Sequence, residues 1–220
     1  MKKKIFKVIG IILLVLIAVF LIHIIRNYVI VRGLQKNIEK YKTSSSYHIK
    51  MQTSLNGKNT LKLDYYSKGE RQVLILNKTT DDSNTKISMY NNGERIDTFI
   101  DAGDSKQVIL NSSSLMDITI NNNLETDNNW QTFISCFFAK IKKEEINGKT
   151  CYMIKGYMSP SFLNGKNKNE VYVEKDTGLL IKSVNDTEIN EREYEFNNVD
   201  DSIFTEPDIG QYKIKENNNE

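Results

Sequence analysis

The sequence predicts an α+β chain, mainly antiparallel β, placed behind one N-terminal transmembrane helix. Three observations carry this reading: an apolar run that starts at Val8, a two-residue apolar period that starts at Tyr47, and turn signals spaced along the remainder.

The apolar run reads VIGIILLVLIAVFLIHII from Val8 to Ile25. With its flanks, at about 1.5 Å of rise per residue, such a helix roughly spans a bilayer core. Lys2, Lys3, Lys4 and Lys7 precede it, while Arg26 and Arg32 follow. The excess positive charge on the N-terminal side orients the bulk of the chain outward. The expected organisation is a basic cytoplasmic N-terminus over 1–7, a transmembrane signal anchor over 8–30, one extracytoplasmic domain over 33–214 and a disordered tail over 215–220. The localisation that follows is the cell membrane, single-pass, with the C-terminal domain outside. A cleaved signal peptide shares the basic and apolar regions, but the stretch after Ala18 offers no pair of small residues to a peptidase. No cysteine precedes Cys136, so N-terminal lipidation is excluded. His23, within the run, reads as a neutral or snorkelling residue near the outer interface.

Of 30 basic residues, five (Lys2, Lys3, Lys4, Lys7, Arg26) belong to the anchor region. The remaining 25 face 28 acidic residues, a net −3 for the outer domain. Interspersed, nearly balanced charge argues against nucleic acid as a partner and against strong attraction to anionic lipid. No Pro- or Gly-rich linker divides the roughly 190 residues after the anchor, a length suited to one domain.

Element by element, Leu34, Ile38 and Tyr41 recur at helical spacing and predict a short helix over Gly33 to Lys42. Tyr47 to Leu55 alternates apolar and polar residues, which marks a strand with one buried face. After the Asn56-Gly57 turn, Leu61, Leu63 and Tyr65 repeat the pattern, and a third strand carries Val73 to Leu76. Further strands are predicted over Lys86 to Tyr90, Arg95 to Asp101 and Gln107 to Leu110. Between Ser112 and Lys140 the alternation fails. There Leu115, Met116, Trp130, Phe133, Phe137 and Phe138 point to helical or irregular apolar segments around the Asn-rich stretch 121–123, expected to cover the sheet. Strands return over Ile141 to Ile146, Cys151 to Met158, Glu170 to Glu174, Leu179 to Val184 and Glu191 to Phe196. Ile203, Phe204, Pro207, Ile209, Tyr212 and Ile214 predict a final extended segment along the sheet, with Pro207 interrupting regular pairing.

Cys136 and Cys151 both lie in the exported part. They read either as a disulfide closing a short loop, worth about 3 kcal/mol in the chain-entropy model, or as two buried thiols. Neither zinc spacing nor a redox pair is present.

The helix and strand segment KYKTSSSYHIKMQTSL, the successive hairpins, the apolar insertion, the hairpin VYVEKDTGLLIKSVN, the strand YEFNNVD and the closing FTEPDIGQYKI occur in an order that resembles the LolA/RseB-like superfamily of bacterial envelope proteins. The chain is especially similar to membrane-attached Gram-positive members, over Leu34 to Ile214. The resemblance implies a curved, unclosed antiparallel half-barrel with an apolar concave face covered by helices. It implies an acyl-chain hollow in the carriers and a sensor surface for lipids or envelope proteins in the regulatory members. The carriers have an Arg-Pro segment after the second long strand, whereas this chain has Lys68-Gly69-Glu70-Arg71. A tethered chain also cannot shuttle between membranes, so carrier activity is not transferred.

On the alternation argument, Tyr47, Ile49, Met51, Leu61, Leu63, Tyr65, Val73 and Ile75 face inward, with Trp130, Phe133 and Phe137 on the cover. Such large side chains either line an apolar ligand cavity or fill it as an ordinary core. The functional expectation is a tethered binding protein for a lipid or lipoprotein acyl chain. The alternative is a regulatory module with a filled core that binds an envelope protein on its rim. An enzyme is not expected, and no metal or cofactor. His48 falls on the polar side of its strand and reads as solvent-exposed. The doublets Asp81-Asp82, Glu144-Glu145 and Asp200-Asp201 read as solvated turn charges, with no calcium-loop spacing.

Overall fold

The computed structural model describes residues 2–56, 58–79, 83–112, 115, 118–121, 123–124, 128–137, 139–157 and 170–215. Several sequence expectations lie outside the described residues: Gly57 of the first turn, the doublet Asp81-Asp82, Met116, Asn122, Phe138, Met158 at the end of a strand, and the tail beyond Lys215.

The fold is α+β, with one long N-terminal helix, one short helix and a mainly antiparallel sheet. Helix α1 covers Lys2–Lys42 and α2 covers Asn129–Ser135. The strands are β1 (Ser46–Leu55), β2 (Lys58–Lys68), β3 (Arg71–Thr79), β4 (Asn84–Asn91), β5 (Ile96–Ala102), β6 (Ser105–Ile109), β7 (Lys140–Ile146), β8 (Lys149–Lys155), β9 (Glu170–Glu174), β10 (Leu180–Val184), β11 (Glu188–Phe196) and β12 (Lys213–Lys215). Their order in the sheet is β12-β6-β5-β4-β3-β2-β1-β11-β10-β9-β8-β7, so the sheet is unclosed. All of the strands predicted from alternation are present. The parallel pair of β12 with β6 is the one departure from antiparallel pairing among the strand registers described.

The chain divides into two compact units, one built from Met1–Ile38 and Asn121–Leu180, the other from Glu39–Ile120 and Ile181–Glu220. In the first unit, α1 is a single helix where the sequence suggested an anchor followed by a separate helix over Gly33 to Lys42. Gly33 is helical with nothing within 4 Å of an added Cβ. A lone glycine costs a helix about 1 kcal/mol, too little to break one that is packed. The apolar side chains from Phe6 to Ile22 are exposed. From Ile24 onward a stripe of Ile24, Asn27, Val31, Leu34, Gln35 and Ile38 is buried, at the three- and four-residue spacing of one helix face.

That stripe is part of a core. Ile24, Val31 and Leu34 cluster with Leu124, Cys136, Ala139, Ile141, Ile154, Val173 and Leu180. Polar groups on the same face satisfy carbonyls of the segments they meet: Asn27 Nδ2 donates to the Ala139 oxygen at 2.7 Å and Gln35 Nε2 to the Leu124 oxygen at 2.7 Å. Between β9 and β10, Gly178 (φ +72°) lies so close that an added Cβ would overlap the Leu34 carbonyl oxygen.

In the second unit, cross-strand register sorts side chains onto two faces. One row runs Ile49, Tyr65, Leu74, Met89, Thr98, Ile109, and the next runs Met51, Leu63, Leu76, Ile87, Ile100, Gln107. The opposite face carries His48, Tyr66, Val73, Tyr90 and Asp97 in one row, and Lys50, Asp64, Ile75, Ser88, Phe99 and Val108 in another. The C-terminal segment is not simply extended as expected. It forms two 3-10 turns, Asp201–Phe204 and Ile209–Gln211, because Asp200 and Asp208 accept from the backbone N–H two residues on. Tyr212 then packs edge-on against Phe99, with ring centroids 5.1 Å apart.

Candidate functional site

The candidate surface is the first of these faces, in the second unit. Strand alternation puts Tyr47, Ile49 and Met51 of β1 beside Leu61, Leu63 and Tyr65 of β2, so these predicted residues do share one face. Val73 and Ile75 do not. They are registered with Tyr66 and Asp64, which places them on the opposite face, and their neighbours Leu74 and Leu76 take their place. The one-residue offset is a register effect: in a period-two strand the face is fixed by the partner residue, and an unbroken VLIL run gives no internal clue to it. Val73 is buried because it belongs to the face that also carries Phe99 and Val108.

On the apolar face, Ile49, Leu63, Tyr65 and Leu74 are buried, together with Ile118 and Ile120 of the following segment. Tyr47 reaches that segment, its hydroxyl lying 3.5 Å from the Ile118 oxygen. Met51, Leu61, Leu76, Ile87, Met89 and Ile100 are only half-buried. The face therefore grades from a filled zone into a zone of accessible aliphatic side chains. β11 extends it: Glu191, Glu193 and Glu195 point to the polar side, while Arg192, Tyr194 and Phe196 are registered with Met51, Ile49 and Tyr47. Burial raises the Tyr194 hydroxyl, and the hydrogen bond from Arg192 opposes the shift. Arg192 shares this face, a placement that alternation in EREYEF reveals once the strand's inward set is known.

Trp130, Phe133 and Phe137 belong to the first unit. Trp130 stacks on Phe133 at 5.9 Å, and Phe133 meets Phe137 and Tyr28 edge-on at 5.6 and 5.8 Å. Phe137 in turn meets Phe20 of α1 edge-on at 5.9 Å. Besides these ring contacts with α1, Phe133 and Phe137 pack against the core cluster that includes Ile141, Ile154 and Val173 of β7, β8 and β9.

The polar face corrects the expectation for His48, which is 5 % exposed rather than solvated. Its Nε2 lies 2.9 Å from Asp64 and its Nδ1 3.2 Å from Glu195. The ring stacks on Tyr66 at 3.9 Å. Glu195 also accepts from Lys50, and this bond first, then His48, holds its carboxyl below the ordinary range. A recess of about 200 Å³ beside this cluster is lined mainly by Lys50, Gln52, Lys62, Asp64, Glu191 and Glu193. Alternating charges of both signs compensate one another there. Among the described residues no group of three His, Cys, Asp or Glu side chains is arranged to hold a metal.

The disulfide expected as one of two readings is not formed. Cys136 and Cys151 are both free and buried, Cys136 at the C-cap of α2 and Cys151 within β8. Burial pushes the Cys136 thiol up to about 12, the behaviour of a small apolar side chain. Of the acidic doublets, Glu144 and Glu145 are exposed on β7. Asp200 caps a 3-10 turn, and Asp201 pairs with Lys68 and Arg71.

No family model matches the chain, and no curated protein matches it in sequence. Among solved structures it is similar to a DUF1329 family protein from Desulfovibrio piger, with 13 % identity and a TM-score of 0.32, covering 83 % of this chain and 97 % of that one. It is also similar to MucB, solved in complex with MucA(peri), with 10 % identity and a TM-score of 0.32, covering 76 % of this chain and 56 % of that one. A third is a LolA superfamily protein from Nitrosomonas europaea, with 12 % identity and a TM-score of 0.27, covering 78 % of this chain and 97 % of that one.

Proposed function

We propose that this chain is a membrane-tethered extracytoplasmic binding protein, anchored by α1, that holds an apolar ligand against one face of its sheet. The ligand class is a lipid or lipoprotein acyl chain. The observation that supports it is the set of half-buried residues Met51, Leu61, Leu76, Ile87, Met89 and Ile100 on one face, which continues a filled core into accessible aliphatic surface. Arg192, registered with Met51 on the same face, would favour an acidic head group at the end of such a chain. The helix is long and apolar enough to cross a membrane. The lysines before Val8 support an orientation with the domain outside the cytoplasm.

The test uses two adjacent half-buried residues of β3 that point to opposite faces, Leu76 and Ile75. The full chain is placed in nanodiscs containing a photoactivatable phospholipid, and the cross-linked peptides are read by mass spectrometry. Cross-links to β1–β4 that Leu76→Glu removes and Ile75→Glu preserves are expected. Equal cross-linking of both variants, or none in the parent chain, refutes the ligand face and leaves a filled core with a protein partner on the sheet's rim.

A further inference from the structure

We infer that the surface formed by α2 and the start of β7 is immersed in the membrane leaflet on the domain's side, so that the domain sits in the bilayer face without a stalk. This rests on the proposal that α1 crosses the membrane. Three observations within the first unit carry it.

The first is length. Lys7 is the last charged residue before the apolar run, and the next is Arg26. At about 1.5 Å per residue, Phe20 stands roughly 20 Å along the helix from Lys7, Ile24 roughly 26 Å and Arg26 roughly 28 Å. The hydrocarbon core is about 30 Å thick. Yet Phe137 already touches Phe20, and Ile24 is wholly buried by the unit. The protein therefore begins to surround the helix about 10 Å before the hydrocarbon ends. Tilting the helix shortens its projection and sinks these contacts further.

The second is the chemistry of the surface from that contact to the edge of the hydrocarbon, where Phe133 meets Tyr28 roughly 32 Å along the helix. Trp130 is 66 % exposed and Ile134 is 43 % exposed, next to Phe133 and Phe137 in the same aromatic cluster. An amphipathic ring system at the end of an apolar helix is what a membrane interface selects. The exposed apolar residues of α2 continue the exposed apolar surface of α1 through the Phe20–Phe137 contact. Exposed in water, both would be costly; in one leaflet, both are solvated by the same acyl chains.

The third is charge. Arg26, exposed at head-group height, reaches the Ile141 oxygen of β7 at 3.4 Å. That contact brings exposed Lys140 and Lys142, on either side of Ile141, towards the same level. Cations level with an aromatic band at the hydrocarbon's edge face lipid phosphates.

Trp130 is the single tryptophan of the chain, so its fluorescence reports on this surface alone. The full chain is reconstituted into phosphatidylcholine–phosphatidylglycerol vesicles and recovered by flotation. Its emission is then compared in vesicles whose acyl chains carry bromine near the carbonyl end. Blue-shifted emission that the brominated lipid quenches is expected. Ile134→Glu, at an exposed position, should float equally and lose most of the quenching. Flotation with red-shifted, unquenched emission overturns the immersion while leaving the anchor intact. Blue-shifted but unquenched emission overturns it in favour of a second copy covering α2. Failure to float removes the anchor and the immersion together.

Discussion

Replacing Gly178 by alanine separates two costs that usually travel together. Gly178 adopts φ +72°, and its N–H donates to the Glu174 oxygen at 2.8 Å. A Cβ there would overlap the Leu34 carbonyl oxygen and stand 2.9 Å from the Ile38 nitrogen and 3.3 Å from the Asn37 Cβ. Two of the three obstacles are helix backbone, which cannot turn aside as a side chain can. Gly148, in the β7–β8 turn of the same unit, has φ +74° and nothing within 4 Å. Gly148→Ala therefore measures the left-handed backbone alone, about 1–2 kcal/mol. Gly178→Ala adds an overpacking cost of about 1–3 kcal/mol. With roughly 2–4 °C per kcal/mol for a chain of this size, Gly148→Ala should lower the midpoint by about 2–8 °C and Gly178→Ala by clearly more. Thermal unfolding of the full chain in micelles, followed at Trp130, makes the comparison. Equal midpoints for the two variants would falsify the close approach of Gly178 to α1.

Asn27→Leu keeps the number of side-chain heavy atoms but removes the donor to the Ala139 and Cys136 carbonyls. It should cost about 1–3 kcal/mol, read as a lower urea midpoint for the first unit; an unchanged midpoint refutes the role. His48→Leu removes the group held between Asp64 and Glu195. Because both carboxylates reach water, the expected loss is only about 1–2 kcal/mol, read by urea unfolding. Lys50 and then His48 depress the Glu195 carboxyl in the folded chain, so folding is favoured by its ionised form. That contribution is full above the unfolded carboxylate range, about pH 4.3, and fades as pH falls through the lower folded value. Urea midpoints taken from pH 7 downwards should therefore fall less steeply at the acid end for Glu195→Gln than for the parent, and parallel curves would count against the pairing.

The strands were legible because period-two alternation and Asn-Gly or Gly-containing turns are local signals, and β1 shows both: its polar residues do face away from Ile49 and Met51. What alternation left open was the identity of each face's neighbour. The VLIL run of β3 fits either register, and only pairing with Tyr65 and Leu63 selects Leu74 and Leu76 over Val73 and Ile75. His48 failed for a related reason. A histidine on a polar face looks solvated until Asp64 and Glu195, distant in sequence, flank it and Tyr66 stacks on its ring. Trp130, Phe133 and Phe137 were correctly read as apolar and non-strand, yet their partners Phe20 and Tyr28 lie over 100 positions earlier. No local pattern encodes that pairing.

The same long-range pairing gives α1 two roles that the sequence seemed to assign to separate segments. The hydropathy of Val8 to Ile25 hides the fact that Ile24 already belongs to a folded core, because a lipid-facing and a core-facing isoleucine look alike. Polar residues mark the change of environment better. Asn27 and Gln35 fall on the buried face of the helix, where each donates to a carbonyl of the unit it packs against. A stalk would place such residues in water and leave those carbonyls to other donors. Val31 and Leu34 alone, which lie beyond the hydrocarbon, represent about 3–6 kcal/mol at about 1.5–3 kcal/mol of burial each. That is a large part of the 5–15 kcal/mol that separates a typical folded domain from its unfolded chain. The helix that serves as the proposed anchor is therefore also a structural member of the first unit. Cutting it away before Leu34 would remove part of the fold along with the tether.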